Sequence, residues 1–176
     1  MAHMKRLWKV LRWVAVVAAC LFVAAQFTSP ARTNPEADRS LALESHLQVN
    51  PQVGAIIDRS CADCHSNKTQ WPWYSKVVPV SWLVIDHVNH GRSHLNFSEW
   101  GRYDRREAGQ MLGQICKEVK SGAMPLSSYT PLHPESKLSA EDVKLLCDWT
   151  NAERQRIDKP KQFATRQEET DPPPDR

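Results

Sequence analysis

The stretch CADCH, Cys61 to His65, places two thiols and an imidazole within five residues. Cys-x-x-Cys-His is the attachment signature of a c-type haem. In that chemistry the thiols of Cys61 and Cys64 add across two porphyrin vinyl groups, and His65, beside the second thioether, ligates the iron. The same side chains also suit a zinc ion, with Cys116 or Cys147 completing four-coordination. Against zinc, adjacent Cys64 and His65 seldom both reach one tetrahedral ion, and no second Cys-x-x-Cys follows. A Cys61–Cys64 redox disulfide lacks the strand–helix pattern of a thioredoxin-like unit.

Immediately upstream, "NPQVGAIIDRS" reads as a short amphipathic helix. Asn50 is the N-cap and Pro51 the first helical residue. Val53, Ile56, Ile57 and Ser60 recur at i, i+3, i+4, i+7. Downstream, aromatic- and Pro-rich residues 66–79 form a loop. A helix is expected from about Val80 to Asn89, with Gly91 as its terminator. The next runs from a cap at Asp104 to Gly122, its buried face made by Ala108, Met111, Leu112, Ile115 and Val119. After a second irregular stretch, "SAED" opens the last helix, with Ser139 and Asp142 as a capping-box variant and Val143, Leu146, Cys147 and Thr150 as the buried stripe. No strand is expected. The expected fold class is all-α, about four short helices with long irregular loops, which with one haem covalently attached at the motif would be cytochrome c-like. Helices this short need something to pack against, and a flat apolar macrocycle supplies it.

A haem needs a sixth ligand. Met124, in "SGAMPL", lies in a Gly- and Pro-bounded loop downstream of His65, and His/Met ligation is that of electron-carrying cytochromes c. The alternative for a lone Met is core filling.

The blocks "CADCHSNKTQWPWYSKVVPVSW", "GRSHLNFSEW", "GAMPLSSYTPLHPESKLS" and "LLCDW" together resemble the bacterial haem-binding domain family, whose members are exported, single-CxxCH proteins related to c-type cytochromes. The likeness spans about residues 50–150. It implies covalent haem at Cys61 and Cys64, His65 as proximal ligand and Met124 as distal ligand, without a defined physiological role. Cys116 and Cys147 lie outside the family pattern. Their pairing is expected instead because exported cysteines oxidise unless occupied, the alternative being two buried free thiols.

Several further side chains have two readings each. Trp71, Trp73 and Tyr74 either wall the macrocycle or anchor the loop. Arg92 and Arg102 either pair with propionates or are solvated. His87, His90 and His94 share a nominal helical face and could bind a metal or displace Met124, but a helix ended by Gly91 breaks that alignment. His133 is expected to brace the loop that carries Met124. In "LNFSEW", Asn96 or Ser98 fixes a turn while Phe97 and Trp100 pack.

The chain ends set the compartment. Residues 1–27 hold Lys5, Arg6, Lys9 and Arg12 and no acid, running into uncharged Trp13–Phe27; this is an export signal or anchor. Fifteen apolar residues are short for a span of roughly 17–25, although Leu11 and a snorkelling Arg12 extend them. Retention as an anchor, cleavage after Ala25 and lipidation at Cys20 all remain open. In each case the basic end stays inside, and the domain lies on the periplasmic side of the cytoplasmic membrane or in the periplasm. Residues 28–48 read as a linker or loosely packed arm, 49–157 as the haem-binding domain and 158–176 as a disordered tail. Without the four head cations, 19 basic and 20 acidic side chains remain, so no basic field invites nucleic acid. The expected function is a single-electron carrier. Its expected partners are a membrane or periplasmic redox protein and the haem-attachment machinery. A haem peroxidase with His87 or His90 as acid–base group, or a sensor with a displaceable Met124, is the alternative.

Overall fold

A computed structural model describes residues 2–159; the expected tail lies outside them beyond Lys159. The described residues form seven α-helices and no strand. In chain order these are α1 (Ala2–Gln26), α2 (Leu43–His46), α3 (Pro51–Ser60), α4 (Ala62–His65), α5 (Val80–His94), α6 (Arg105–Ser121) and α7 (Ala140–Asp158). Short 3-10 turns over Arg39–Leu41, Trp73–Lys76, Phe97–Arg102 and Pro134–Ser136 join them. The four expected helices are α3, α5, α6 and α7, and the fold is all-α as the sequence implies.

The caps follow the sequence. The Asn50 side chain accepts a hydrogen bond from the Val53 amide, and the Asp104–Glu107 and Ser139–Asp142 pairs both close capping boxes. Each satisfies amides that a helix start leaves free, worth about 1 kcal/mol per cap. Gly122 ends α6 at φ +71°, a conformation a side chain would strain.

The core gathers the expected faces of α3, α6 and α7. Val53, Leu112 and Leu146 are wholly buried at its centre, each contributing roughly 1.5–3 kcal/mol. A disulfide joins Cys116 on α6 to Cys147 on α7. Phe97 and Trp100 cover one flank of this core.

Two expectations fail here for one reason: tertiary contact organises segments that look unstructured alone. Residues 28–48 are no loose arm. Leu43 and Leu47 enter the core, and Trp149 Nε1 donates to the Gln48 carbonyl at 2.9 Å. Buried Glu153 accepts from the Gln48 amide and pairs with Arg156. Similarly, α5 does not end at Gly91 but continues to His94. Gly91 is instead a place of close approach, because a Cβ there would collide with the Cys64 carbonyl oxygen.

Helix α1 contains a 24-residue stretch, His3–Gln26, that is long and apolar enough to cross a membrane. It is longer than the 15-residue apolar run because helical residues before Trp13 extend it, their apolar side chains exposed among the basic ones.

Candidate functional site

Helix α3 breaks at Cys61, whose φ and ψ of −129° and −37° start the new turn α4. The Cys61 carbonyl accepts from the amides of Cys64 and His65, so the motif is a single tight turn. Its three ligand-type side chains line a cavity of about 450 Å³, within the ~300–1,000 Å³ usual for small-molecule and cofactor sites. A second wall is α5, through Val80, Leu83, Val84 and Val88. A third is the loop after α6, through Met124, Leu126, Tyr129 and Leu132.

His65 is held by its rear nitrogen. Nδ1 lies 3.0 Å from the Leu95 carbonyl, an acceptor, so Nδ1 carries the proton and Nε2 keeps a free lone pair. This is the outer hydrogen bond that orients a metal-ligating histidine. Burial outweighs that bond and lowers the His65 pKa, keeping the ring neutral and able to coordinate. Burial also pushes the thiols up, Cys61 to about 12 and Cys64 to about 11. Both therefore remain neutral, apolar-compatible groups in the wall.

Met124 reaches the cavity because Gly122 turns the chain out of α6, with the amides of Ala123 and Met124 folding back onto the Glu118 carbonyl. The loop beyond is pinned by a hydrogen-bonded string that sequence reading missed. The Tyr129 hydroxyl donates to Asp63 Oδ2 at 2.7 Å, while Asp63 also accepts from the Gln70 amide. The Tyr129 ring stacks on His133 at 4.0 Å and 7°, and His133 Nε2 lies 2.6 Å from the Tyr74 hydroxyl. Asp63, between the two cysteines of the motif, thus ties the Met124 loop to it, and His133 braces that loop as expected. No periodicity signals such a pairing across 66 positions.

Two thiols, an imidazole with its outward nitrogen free and a thioether meeting in one apolar cavity form a donor set that fits a c-type haem. Residues 20–152 match the Haem-binding domain family. The chain belongs to that family. No curated protein and no solved structure matches it.

Within this haem-binding domain the remaining candidates separate. Tyr74 lines the cavity. Trp71 does not; its indole donates to Asn34 Oδ1 at 3.1 Å, which makes it a loop anchor. Trp73 points to solvent, away from the cavity. Arg92 is likewise committed elsewhere. Its guanidinium donates to the carbonyls of Ser66 and Thr33, to Asn34 Oδ1 and to Thr69 Oγ1 at 2.7–2.9 Å. It clamps the segment before α2 onto the loop after the motif and has no fork left for a propionate. Arg102 is exposed beside Glu99 and lies outside the cavity lining.

Because α5 runs through Gly91, His87, His90 and His94 keep one helical face and all line the cavity. Even so, among the described residues no three His, Cys, Asp or Glu side chains are arranged to hold a metal ion. With Cys116 and Cys147 bonded to each other, the zinc reading loses its fourth ligand and is discarded.

Proposed function

We propose that this haem-binding domain carries one haem c, bonded through Cys61 and Cys64, and passes single electrons outside the cytoplasmic membrane, tethered there by α1. The observation that carries the reading is the fixing of His65: its Nδ1 is committed to the Leu95 carbonyl, so its Nε2 would be free to ligate a haem iron in a cavity that Met124 also lines. A haem held this way supplies reversible one-electron chemistry, with the thioether raising its reduction potential. The chain's own residues do the rest. Cys61 and Cys64 fix position, the Leu95 carbonyl fixes the imidazole, and the apolar side chains of α5 exclude water. The Asp63–Tyr129 bond holds the Met124 loop in place. The tether reading is supported by the apolar length of α1 and the cations of its first half, which favour the cytoplasmic side.

The test is maturation with the haem-attachment machinery followed by acid–acetone extraction. Colour that stays with the polypeptide is expected; colour that leaves would reject thioether attachment. Met124→Ala is expected to abolish the sulfur-to-iron charge-transfer band of the oxidised protein and to lower its potential, and unchanged spectra would reject Met124 as ligand. A second reading, peroxidase or ligand sensor, rests on the three histidines of α5 that line the cavity. A five-coordinate, high-spin spectrum, or a band that peroxide or carbon monoxide removes, would favour it over the carrier.

A further inference from the structure

We infer that the face of the domain around the start of α5 docks on the lipid bilayer, so that the mouth of the haem cavity opens at the membrane surface. The inference rests on the reading of α1 as a retained anchor and adds how the domain sits on it.

The end of α1 is fastened to this face rather than hanging from a free linker. The Gln26 side-chain amide makes a two-way clamp on the main chain of Val78: its oxygen accepts from the Val78 amide at 3.0 Å and its nitrogen donates to the Val78 carbonyl at 3.3 Å. The Trp82 indole lies 3.4 Å from the Thr28 carbonyl as its donor. The helix has no spare length to lift these contacts into water. From Lys9 to Gln26 it rises about 25 Å at 1.5 Å per residue, less than the ~30 Å hydrocarbon core. Snorkelling of Lys9 and Arg12 has to make up the difference at the inner side. Gln26 therefore sits at the outer boundary of the hydrocarbon, and Val78 with it.

What surrounds the clamp has the chemistry of that boundary. Phe27, Val77 and Trp82 are 87%, 37% and 43% exposed, and none of them lines the cavity, so a bound haem leaves them uncovered. Trp73, exposed on the turn packed against α5, adds a second indole. Trp is the residue enriched where apolar chains meet head groups. Val80 and Leu83, which do line the cavity, continue the same surface and make its rim. An electron partner inside the membrane would thus meet the haem edge across lipid-facing side chains.

The experiment uses the matured full chain in lipid nanodiscs that contain a phospholipid with a photoactivatable carbene precursor near its glycerol, read by mass spectrometry of tryptic peptides. Adducts are expected on α1 and, several-fold above the α7 peptide 138–144, on the peptide 77–92 that Lys76 and Arg92 delimit. The Val77→Glu/Trp82→Glu double variant is expected to lose the adducts on 77–92 while keeping those on α1 and the haem spectrum. Adducts confined to α1 would overturn the docking and leave the anchored haem protein standing. Absence of adducts from α1 itself would instead remove the anchor, and the docking with it.

Discussion

At Gly91 one hydrogen atom decides how closely α5 approaches the Cys61–His65 turn. Ala is the better helix former by about 1 kcal/mol, so an exposed Gly→Ala change would stabilise. Here the added methyl meets the Cys64 carbonyl, which is backbone and cannot swing aside, and overpacking costs typically 1–3 kcal/mol. Gly91→Ala is therefore expected to lower the unfolding midpoint and the yield of attached haem together; a raised midpoint would mean the turn can yield. Tyr129 gives a residue-scale test with pH. Burial and the bond to Asp63 hold its phenol above the ordinary range near 10. A raised folded-state pKa means the stabilisation is complete below about pH 10 and is lost as pH rises beyond it, because the unfolded chain releases the proton first. Tyr129→Phe is expected to cost about 1.5–3 kcal/mol at neutral pH and to flatten the alkaline decline in stability, with part remaining through Tyr74, also raised by burial. Denaturant midpoints across pH 8–11 (a range bracketing the ordinary phenol value) measure both.

At the scale of elements, the start of α7 couples local and tertiary order. Asp142 accepts from the Ser139 amide within its capping box and pairs with Arg59 of α3 at 2.8 Å. The backbone bond chiefly, and Arg59 in addition, hold its carboxyl below the usual range. The contribution is therefore present above the ordinary carboxylate value and lost as pH falls through the lower folded-state value. Asp142→Asn is expected to cost about 1 kcal/mol at pH 7, and the difference from wild type should vanish in acid. A pH-independent deficit would point to packing instead. These caps were legible in the sequence because a cap is read from neighbours three positions apart. The buried stripes of α3 and α6 were legible for the same reason, through their periodicity. The end of α5 was not. Gly91 carries a stop signal locally, and only the approach of Cys64, from another element, shows why it is glycine. Arg92 and Trp71 misled in a similar way: their types suit a cofactor pocket, but their partners Thr33 and Asn34 come from a segment that reads as a linker.

For the whole molecule, the core and the cavity are two halves joined at the Cys61–His65 turn. Cys116, Cys147 and Leu112 belong to the half built by α3, α6 and α7, whereas Val80, Leu83 and Val84 of α5 face the cavity and have no protein core to fill it. The motif marked from sequence the two thiols and the imidazole that line the cavity, while the Asp63–Tyr129–His133 string that shapes it needed the folded chain. The division makes the halves separable by experiment. Removing the disulfide with Cys116→Ser/Cys147→Ser reopens a loop spanning 31 positions and is expected to cost about 3 kcal/mol, leaving the haem spectrum unchanged. If Cys61 and Cys64 hold the haem as proposed, removing it with Cys61→Ala/Cys64→Ala should do the reverse. The cavity-lining apolar side chains of α5 would then be left wet, at roughly 25 cal/mol for each Å² exposed. Amide hydrogen exchange should therefore rise through α5 and the Met124 loop while α6 and α7 stay protected. Equal loss of protection in α6 and α7 would show that the macrocycle supports the entire helical assembly rather than the half it contacts.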